Sequence, residues 1–173
     1  NRMTVKECFV NGRLVKEEEL DLENDGLFLE ACTLCNDASI GESRLGDPTE
    51  LALLDLAAKH GMQKKRLEQK FPRVDERAFD SDRKRMTTVH RHGAEQIAYT
   101  KGAADEMIGL CPNVWMNGRE MSFSARAKRE TKAAVEEMAN RAYRVLAVAV
   151  KRKGDLKDEK NMVFVGLVGM IDP

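Results

Sequence analysis

Three short segments of the sequence combine residue types that could hold a phosphorylated aromatic ligand. They are GDPTE at 46–50, FDSDRKRM at 79–86 and TKGA at 100–103. The second places Phe79 close to a run of three basic residues, 83–85. An aromatic ring can stack on a base while cations pair with phosphates, so this combination indicates nucleotide binding.

A second interpretation stays open when these residues are considered alone. A basic run is usually a solvated face, and a phenylalanine such as Phe79 is more often part of a hydrophobic core. The chain would then be a non-catalytic interaction domain whose basic patch at 83–85 binds an acidic partner. Titration with AMP and ATP distinguishes the two interpretations. Binding through the base tolerates loss of phosphates, whereas binding to a basic patch does not.

Self-contained nucleotide and hydrolase motifs are missing from the sequence. Gly41 and Gly46 have the glycine spacing of a phosphate-binding loop, but Asp47 follows where that loop needs a lysine. No G-x-G-x-x-G, G-x-S-x-G or H-E-x-x-H sequence occurs. A free-standing kinase or nucleoside triphosphatase is therefore disfavoured.

The cysteines indicate reduced thiols. Cys32 and Cys35 form a lone C-x-x-C, and the three histidines lie far from it in sequence. A structural zinc site needs four ligands, so we favour a buried helical face over a metal site. The chain is also not a small Cys-dense domain of the secreted kind.

Composition excludes several classes of function. The 173 residues carry 29 Lys+Arg and 29 Asp+Glu, so no net charge attracts nucleic acid or an anionic membrane. The longest apolar run, 162–171, is about half of the roughly 20 residues that span a bilayer. We expect no nucleic-acid partner and no direct membrane contact by this chain, which we expect to be monomeric.

Hydrophobic periodicity divides the chain into irregularly alternating strands and helices. Asn11-Gly12 predicts a hairpin between strands at 3–9 and 13–16, and Asp25 is the predicted N-cap of a helix. Residues 36–46 are predicted to form a loop. The other predicted elements are a helix from 48 to near Gly61 capped by Asp47, strands at 73–79, 85–92 and 94–100 with the last two turned by His92-Gly93, a helix at 103–110, strands at 114–116 and 119–121 around Asn117-Gly118, a helix at 124–141, and strands at 145–150 and 162–171. Hairpin runs with interspersed helices predict an α+β fold with a mainly antiparallel sheet flanked by helices.

The two chain ends suggest an excised domain. The opening NRMTV lacks an initiator methionine and runs directly into a predicted strand, and the chain ends at Asp172-Pro173 immediately after an apolar strand. We expect a single domain, 1–173, that belongs to a longer protein.

The motifs together resemble the nucleotide-binding domain of P-type cation-transporting ATPases. GDPTE, FDSDRKRM, KGA and the closing VGLVGMIDP occur in that family's order, and the whole chain is covered. The opening NRMTV is similar to the stretch that follows the family's D-K-T-G-T-L-T phosphorylation motif. Similarity is greatest to the type II calcium pumps, including bacterial ones.

The resemblance implies a role for each motif residue. Phe79 would stack on adenine, and Glu50 would accept a hydrogen bond from its amino group. Lys84 would lie toward the phosphates and Met86 would line the base pocket. Ser81 stands where sarcoplasmic-reticulum-type pumps have a phosphate-binding arginine, which Arg83 or Arg85 could replace. The implied nucleotide-site residues are Asp47, Thr49, Glu50, Phe79, Ser81, Lys84, Met86, Lys101, Gly102 and Arg144, with no catalytic or metal-binding residue in the chain.

The resemblance also implies ligands, partners and location. The ligand would be ATP, with Mg²⁺ held mostly by residues outside the chain. The partners would be the phosphorylation and actuator domains of the same pump. The chain would be a cytoplasmic domain of an integral membrane protein, in the cell membrane if bacterial. Ca²⁺ is the expected ion, and Na⁺, H⁺ or Mg²⁺ stays an alternative.

A stereochemical expectation follows for residues 79–86. Phe79 and Lys84 are separated by an odd number of residues, so a regular strand would place them on opposite faces. Both are assigned to one ligand. A bulge, a bend or a strand end is therefore expected between them, within residues 80–83, and Lys101 should lie close to the Phe79 ring.

Overall fold

Strands outnumber helices in the computed structural model, which describes residues 2–173. The strands are β1 (Thr4–Val10), β2 (Arg13–Lys16), β3 (Ser39–Ile40), β4 (Arg44–Leu45), β5 (Arg73–Asp80), β6 (Arg85–His92), β7 (Glu95–Ala103), β8 (Asn113–Met116), β9 (Arg119–Ser122), β10 (Arg144–Lys151) and β11 (Val163–Ile171). The helices are α1 (Leu22–Leu34), α2 (Pro48–Lys59), α3 (Lys64–Lys70), α4 (Ala104–Gly109) and α5 (Ala125–Asn140), with a 3₁₀ turn at Glu17–Glu19.

One large sheet organises the chain. Its strands follow the order β2, β1, β11, β10, β7, β6, β5, and each is antiparallel to its neighbour. β8 pairs with β11 in parallel and with β9 antiparallel, while β3 and β4 form a separate small hairpin. The predicted α+β fold with a mainly antiparallel sheet is confirmed.

Helices cover both faces of this sheet, and β10 shows how. Val148 and Val150 pack into the hydrophobic core formed with α1 and α2. Ala147 and Ala149 point to the other face, into the core formed with α4 and α5. Because alternate side chains of a strand face opposite ways, burial on both faces explains the near-continuous apolar sequence of this strand.

The two Asn-Gly pairs form the predicted hairpin turns. Asn11 and Gly12 have φ values of 54° and 75°, and Asn117 and Gly118 have 52° and 83°. Positive φ at both central residues is the geometry of a two-residue turn that matches strand twist. These two predictions are confirmed.

The start of α1 was predicted wrongly. Asp21, not Asp25, is the N-cap, and its side chain accepts the backbone N–H of Asn24. Asp25 is buried and accepts hydrogen bonds from the Asn11 side chain and the Asp21 backbone. Asp25, four residues after the N-cap, thus connects α1 to the first hairpin and does not begin the helix.

Three further local features differ from prediction. His92 pairs with Glu95, so the turn between β6 and β7 consists of Gly93 and Ala94 and lies one residue later than predicted. The segment 36–46 contains the β3–β4 hairpin as well as loop. Helix α3 occupies a stretch for which no element was predicted, because its charged sequence buries no residue fully.

Candidate functional site

A cavity of about 380 Å³ opens where α2, the β5–β6 hairpin and the adjoining ends of β7 and β10 meet. Its volume lies within the range of small-molecule sites. Of the ten sequence-predicted site residues, nine line it, all but Ser81. The lining residues are Asp37, Asp47, Thr49, Glu50, Phe79, Lys84, Met86, Lys101, Gly102, Arg144 and Leu146.

The acidic side of the cavity is the N-terminus of α2. Asp47 caps the helix by accepting the backbone N–H of Thr49 at 2.8 Å, and the Thr49 hydroxyl bonds to the same oxygen. Hydrogen bonds from the Thr49 side chain and backbone outweigh partial burial and lower the pKa of Asp47. The cap therefore stays ionised at neutral pH and fixes the first turn, which presents Glu50 to the cavity.

Glu50 is held by only one of its two carboxylate oxygens. Its Oε2 accepts from Lys101 Nζ at 2.8 Å and from the Asp37 backbone N–H at 2.9 Å. Within residues 2–173, Oε1 accepts no hydrogen bond from another residue of the chain. A fixed carboxylate with one oxygen unused can accept a hydrogen bond from a ligand N–H.

Lys101 is a structural cation. Its side chain is only 8% exposed, and it also donates to the Cys35 carbonyl at 2.7 Å. Lys64 donates to the carbonyls of residues 36 and 38, and Arg73 donates to the Asn36 carbonyl at 3.0 Å and to the Asp37 carboxylate at 2.8 Å. Three cations thus fix the chain after α1, where helix carbonyls lack helical partners. This segment forms the back of the cavity.

Phe79 is presented by a β-bulge. Between the pairs Arg77–Thr87 and Asp80–Arg85, β5 advances three residues while β6 advances two. The Phe79 residue is 63% exposed although it is among the most hydrophobic in the chain. A large exposed apolar side chain on a cavity rim is a feature of binding sites.

The segment 79–86 is not a regular strand, as predicted. β5 ends at Asp80, four turn residues follow, and β6 begins at Arg85. Asp80 accepts the backbone N–H groups of Asp82 and Arg83, and Lys84 has a φ of 57°. The bulge and this turn place Phe79 and Lys84 against the same cavity.

Gly102 allows this turn to lie close to β7. A Cβ on Gly102 would lie 2.7 Å from the Lys84 carbonyl oxygen and closer still to the Arg85 Cβ. Ala103 also donates its backbone N–H to the Lys84 carbonyl at 3.0 Å. Glycine is thus required by packing between two backbones, independently of any ligand.

Met86 and Leu146 form the apolar floor of the cavity. Met86 is 5% exposed and packs in the core beneath α1 and α2, so it belongs to both core and cavity. Leu146 lies two residues after Arg144 on β10 and therefore on the same face. Arg144 itself is exposed, with its Nη2 3.9 Å from the Asp172 carboxylate.

Comparisons with known proteins identify the family. The family described as "P-type ATPase, cytoplasmic domain N" matches residues 27–173. The chain is 40% identical over 181 residues to "Calcium-transporting ATPase 1" of Bacillus cereus and 36% identical over 182 residues to the protein of that name in Lactococcus lactis. The chain belongs to the P-type ATPase N-domain family.

These N-domain relatives are much longer than the chain. The whole chain is aligned in both cases, but it covers 20% of the Bacillus cereus protein and 21% of the Lactococcus lactis protein. A third relative, "Calcium-transporting ATPase lmo0841" of Listeria monocytogenes, is 35% identical over the whole chain. The resemblance predicted from the motifs is confirmed, and the chain spans about a fifth of these relatives.

Arg83 and Arg85 of this N domain do not line the cavity, and neither does Ser81. Ser81 lies exposed in the turn. The two arginines donate their Nε groups to Glu159, at 2.8 and 3.1 Å, on the opposite face of the sheet from Met86. The idea that one of them replaces a cavity arginine at position 81 is therefore not supported by the geometry.

Asp37 and Leu146 line the cavity but were not predicted. Leu146 could have been found from the two-residue period of its strand, since Arg144 was already assigned. Asp37 follows the end of α1, and its position depends on contacts with Arg73 and Glu50 that are distant in sequence. No local signal in the sequence points to it.

The cysteines of this N domain are all buried and unpaired within the described chain, 2–173. Burial raises the pKa of the Cys32 thiol to about 12 and that of Cys35 to about 11, in both cases against the nearby charge of Lys101. Such thiols are poor nucleophiles and poor metal ligands at neutral pH. In residues 2–173 no group of three or more His, Cys, Asp or Glu is arranged to hold a metal ion, and no helix is long and apolar enough to cross a membrane.

Proposed function

We propose that this N domain binds ATP through its adenine base and presents the terminal phosphate to the phosphorylation domain of a cation pump. The observation that carries the proposal is the pairing of an exposed Phe79 ring with the one-sided carboxylate of Glu50 across a single cavity. A ring face and an unused acceptor are what a purine with an exocyclic amino group requires.

Each cavity residue then has a role set by its environment. Phe79 stacks on the base, Glu50 Oε1 accepts from its amino group, and Met86 supplies the apolar floor. Lys101 is a positioning residue, because its hydrogen bonds go to protein oxygens. Lys84 and Arg144 are the exposed cations of the cavity lining and are assigned to the phosphates.

Binding by the isolated chain should be weak. Base stacking on an aromatic side chain contributes about 1–3 kcal/mol, and exposed cations add modestly because water and salt screen them. We expect a dissociation constant for ATP of about 10 μM to 1 mM. Weak binding suits a domain that must release ADP after each transfer.

The pump itself is proposed to transport Ca²⁺. The support is that the relatives from three bacteria carry the name calcium-transporting ATPase and align over the whole chain. The phosphorylation and actuator domains of the same polypeptide are the proposed partners, and the cytoplasmic side of a membrane is the proposed location. Mg²⁺ is proposed to arrive with ATP, with ligands mostly outside this chain.

Calorimetric titration of the purified chain with ATP, AMP, GTP and inorganic triphosphate tests the proposal. ATP should bind, and AMP should bind within about tenfold of ATP because the base supplies most of the energy. GTP should bind more weakly, since its carbonyl faces the Glu50 carboxylate. Equal binding of inorganic triphosphate and ATP, with none of AMP, would instead support a basic patch and contradict the proposal.

Hydrolysis gives a second test. The sequence contains no D-K-T-G segment, and the hydroxyl–carboxylate pair of the described cavity, Thr49 and Asp47, is engaged in capping α2. The chain should therefore bind ATP without turning it over. Release of phosphate that persists at constant specific activity through several purification steps would refute this.

A further inference from the structure

The environment of Glu159 is unusual for a loop residue. Glu159 lies between β10 and β11, has a φ of 59°, and its side chain is 0% exposed. It accepts from Arg83 Nε at 2.8 Å, Arg85 Nε at 3.1 Å and Thr87 Oγ1 at 2.7 Å. Arg77 Nη1 lies 3.2 Å from the same carboxylate. A buried charge with this many donors is maintained by specific structure.

All of these donors belong to the hairpin that carries Phe79 and Lys84. Arg77 lies in β5, Arg83 in the turn, and Arg85 and Thr87 in β6. Arg83 also donates one Nη2 to the carbonyls of Ala78 and Arg85, both at 3.1 Å, and so links the two strands. The Glu159 carboxylate thereby contacts both strands and the turn of the hairpin.

The opposite side of the turn is held by β7. Ala103 donates to the Lys84 carbonyl, and Gly102 allows the close approach of the two backbones. The turn is therefore fixed between β7 and Glu159. If Glu159 is neutralised, three guanidinium groups that repel one another are opposed only by the more exposed carboxylates of Asp80, 3.7 Å from Arg83, and Glu106, 3.4 Å from Arg85.

We propose that Glu159 is a positioning residue for the nucleotide site, which acts through Arg83 to hold Phe79 and Lys84 against the cavity. The expected effect of Glu159 on nucleotide binding rests on the proposed function, whereas its effect on the position of the hairpin does not. Glu159 touches no lining residue by hydrogen bond, so any effect on nucleotide affinity must pass through the hairpin.

The test compares Glu159→Gln with Asp158→Asn in the same chain. Asp158 is the neighbouring carboxylate of the same loop, and its partners are Lys151 at 2.7 Å and the Lys160 backbone N–H, not residues of the hairpin. Both variants remove one negative charge. Glu159→Gln should weaken binding of AMP and of ATP at least about fivefold, with a smaller upfield shift of the adenine protons, whereas Asp158→Asn should bind within about twofold of the parent.

The response of AMP separates positioning from charge and from stability. If Glu159 only neutralises the arginines, its loss should strengthen ATP binding and, to a smaller extent, AMP binding, which would overturn the proposal. A lower melting temperature with unchanged AMP and ATP affinity would show a purely structural role and would also overturn it. If Glu159→Gln does not fold at 25 °C, Arg83→Gln serves instead and should show the same loss for both ligands.

Hydrogen exchange of the free protein keeps this inference separate from the proposed function. The Lys84 and Ala103 amides, which bond to Asp80 and Lys84 carbonyls, should exchange faster in Glu159→Gln and not in Asp158→Asn. If exchange is faster in Glu159→Gln but the parent chain binds no nucleotide, the proposed function is refuted and the positioning of the hairpin by Glu159 stands. Unchanged exchange together with unchanged AMP affinity would refute the positioning role alone.

Discussion

Replacement of Phe79 by alanine should weaken nucleotide binding strongly with little loss of stability. The residue is 63% exposed, so only about a third of it is buried. Complete burial of a phenylalanine side chain contributes about 1.5–3 kcal/mol, so truncation here should cost at most about 1 kcal/mol of unfolding free energy. For a chain of this size that lowers the melting temperature by about 2–4 °C.

The effect on binding should be larger than the effect on stability. Loss of base stacking removes about 1–3 kcal/mol, which weakens ATP and AMP binding by about fivefold to more than a hundredfold. Calorimetric titration and thermal melting of the same samples measure the two quantities. Leu45→Ala is the matched control, because Leu45 is 62% exposed and lies outside the cavity.

Two results would refute this reasoning. A loss of 3–5 kcal/mol on Phe79→Ala is the cost of removing a core aromatic residue and would mean that the ring is buried in solution. Parent-like affinity for AMP in a folded variant would mean that the ring does not contact the base. The Leu45 control should change neither quantity by more than a small amount.

Four other outcomes are expected. Lys101→Gln should lower stability by about 1.5–3 kcal/mol, because the partly buried Glu50 would lose its charged donor and keep only the Asp37 N–H, and urea unfolding measures this. Gly102→Ala should cost about 1–3 kcal/mol in urea unfolding, since its Cβ meets the Lys84 carbonyl, and unchanged stability would show that the turn can shift. Burial raises the pKa of Glu159, but hydrogen bonds from Arg83 and Thr87 lower it by more, so the folded pKa lies below the unfolded value of about 4.3. The stabilisation by Glu159 is therefore complete above the unfolded pKa and is lost as the pH falls through the folded pKa. Glu159→Gln should make the melting temperature less dependent on pH in this acidic range. A thiol reagent at pH 8 should leave the four buried cysteines unmodified until the chain unfolds, and rapid native labelling would contradict their burial.

The sequence predicted those parts of the fold that depend on local signals. The Asn-Gly turns require positive φ and therefore identify their hairpins directly. Asp47 followed by proline identified the start of α2, because an aspartate cap and a proline in the first turn are a local signal of a helix N-terminus. The start of α1 was missed because two aspartates compete for the cap, and the choice depends on a hydrogen bond from Asn11 to Asp25 across the first hairpin.

At the candidate site too, local features could be predicted and contacts between distant segments could not. Motif residues were found because the resemblance supplied them, and the odd spacing of Phe79 and Lys84 correctly required an interrupted strand. Contacts that join segments far apart in sequence were not predictable. Arg83 and Glu159 are 76 positions apart, and nothing local shows that the basic run 83–85 is partly neutralised by a buried carboxylate.

The distribution of cations has a consequence for how the domain handles its ligand. Lys64, Arg73 and Lys101 donate to protein oxygens behind the cavity, and Arg83 and Arg85 donate to Glu159 on the other face of the sheet. Among the lining residues that the structure describes, this leaves the exposed Lys84 and Arg144 to meet phosphates. Under the proposed function, such a site would bind ATP mainly through the base and leave the phosphate chain largely in solvent. That arrangement suits a domain that holds ATP while a second domain accepts its terminal phosphate.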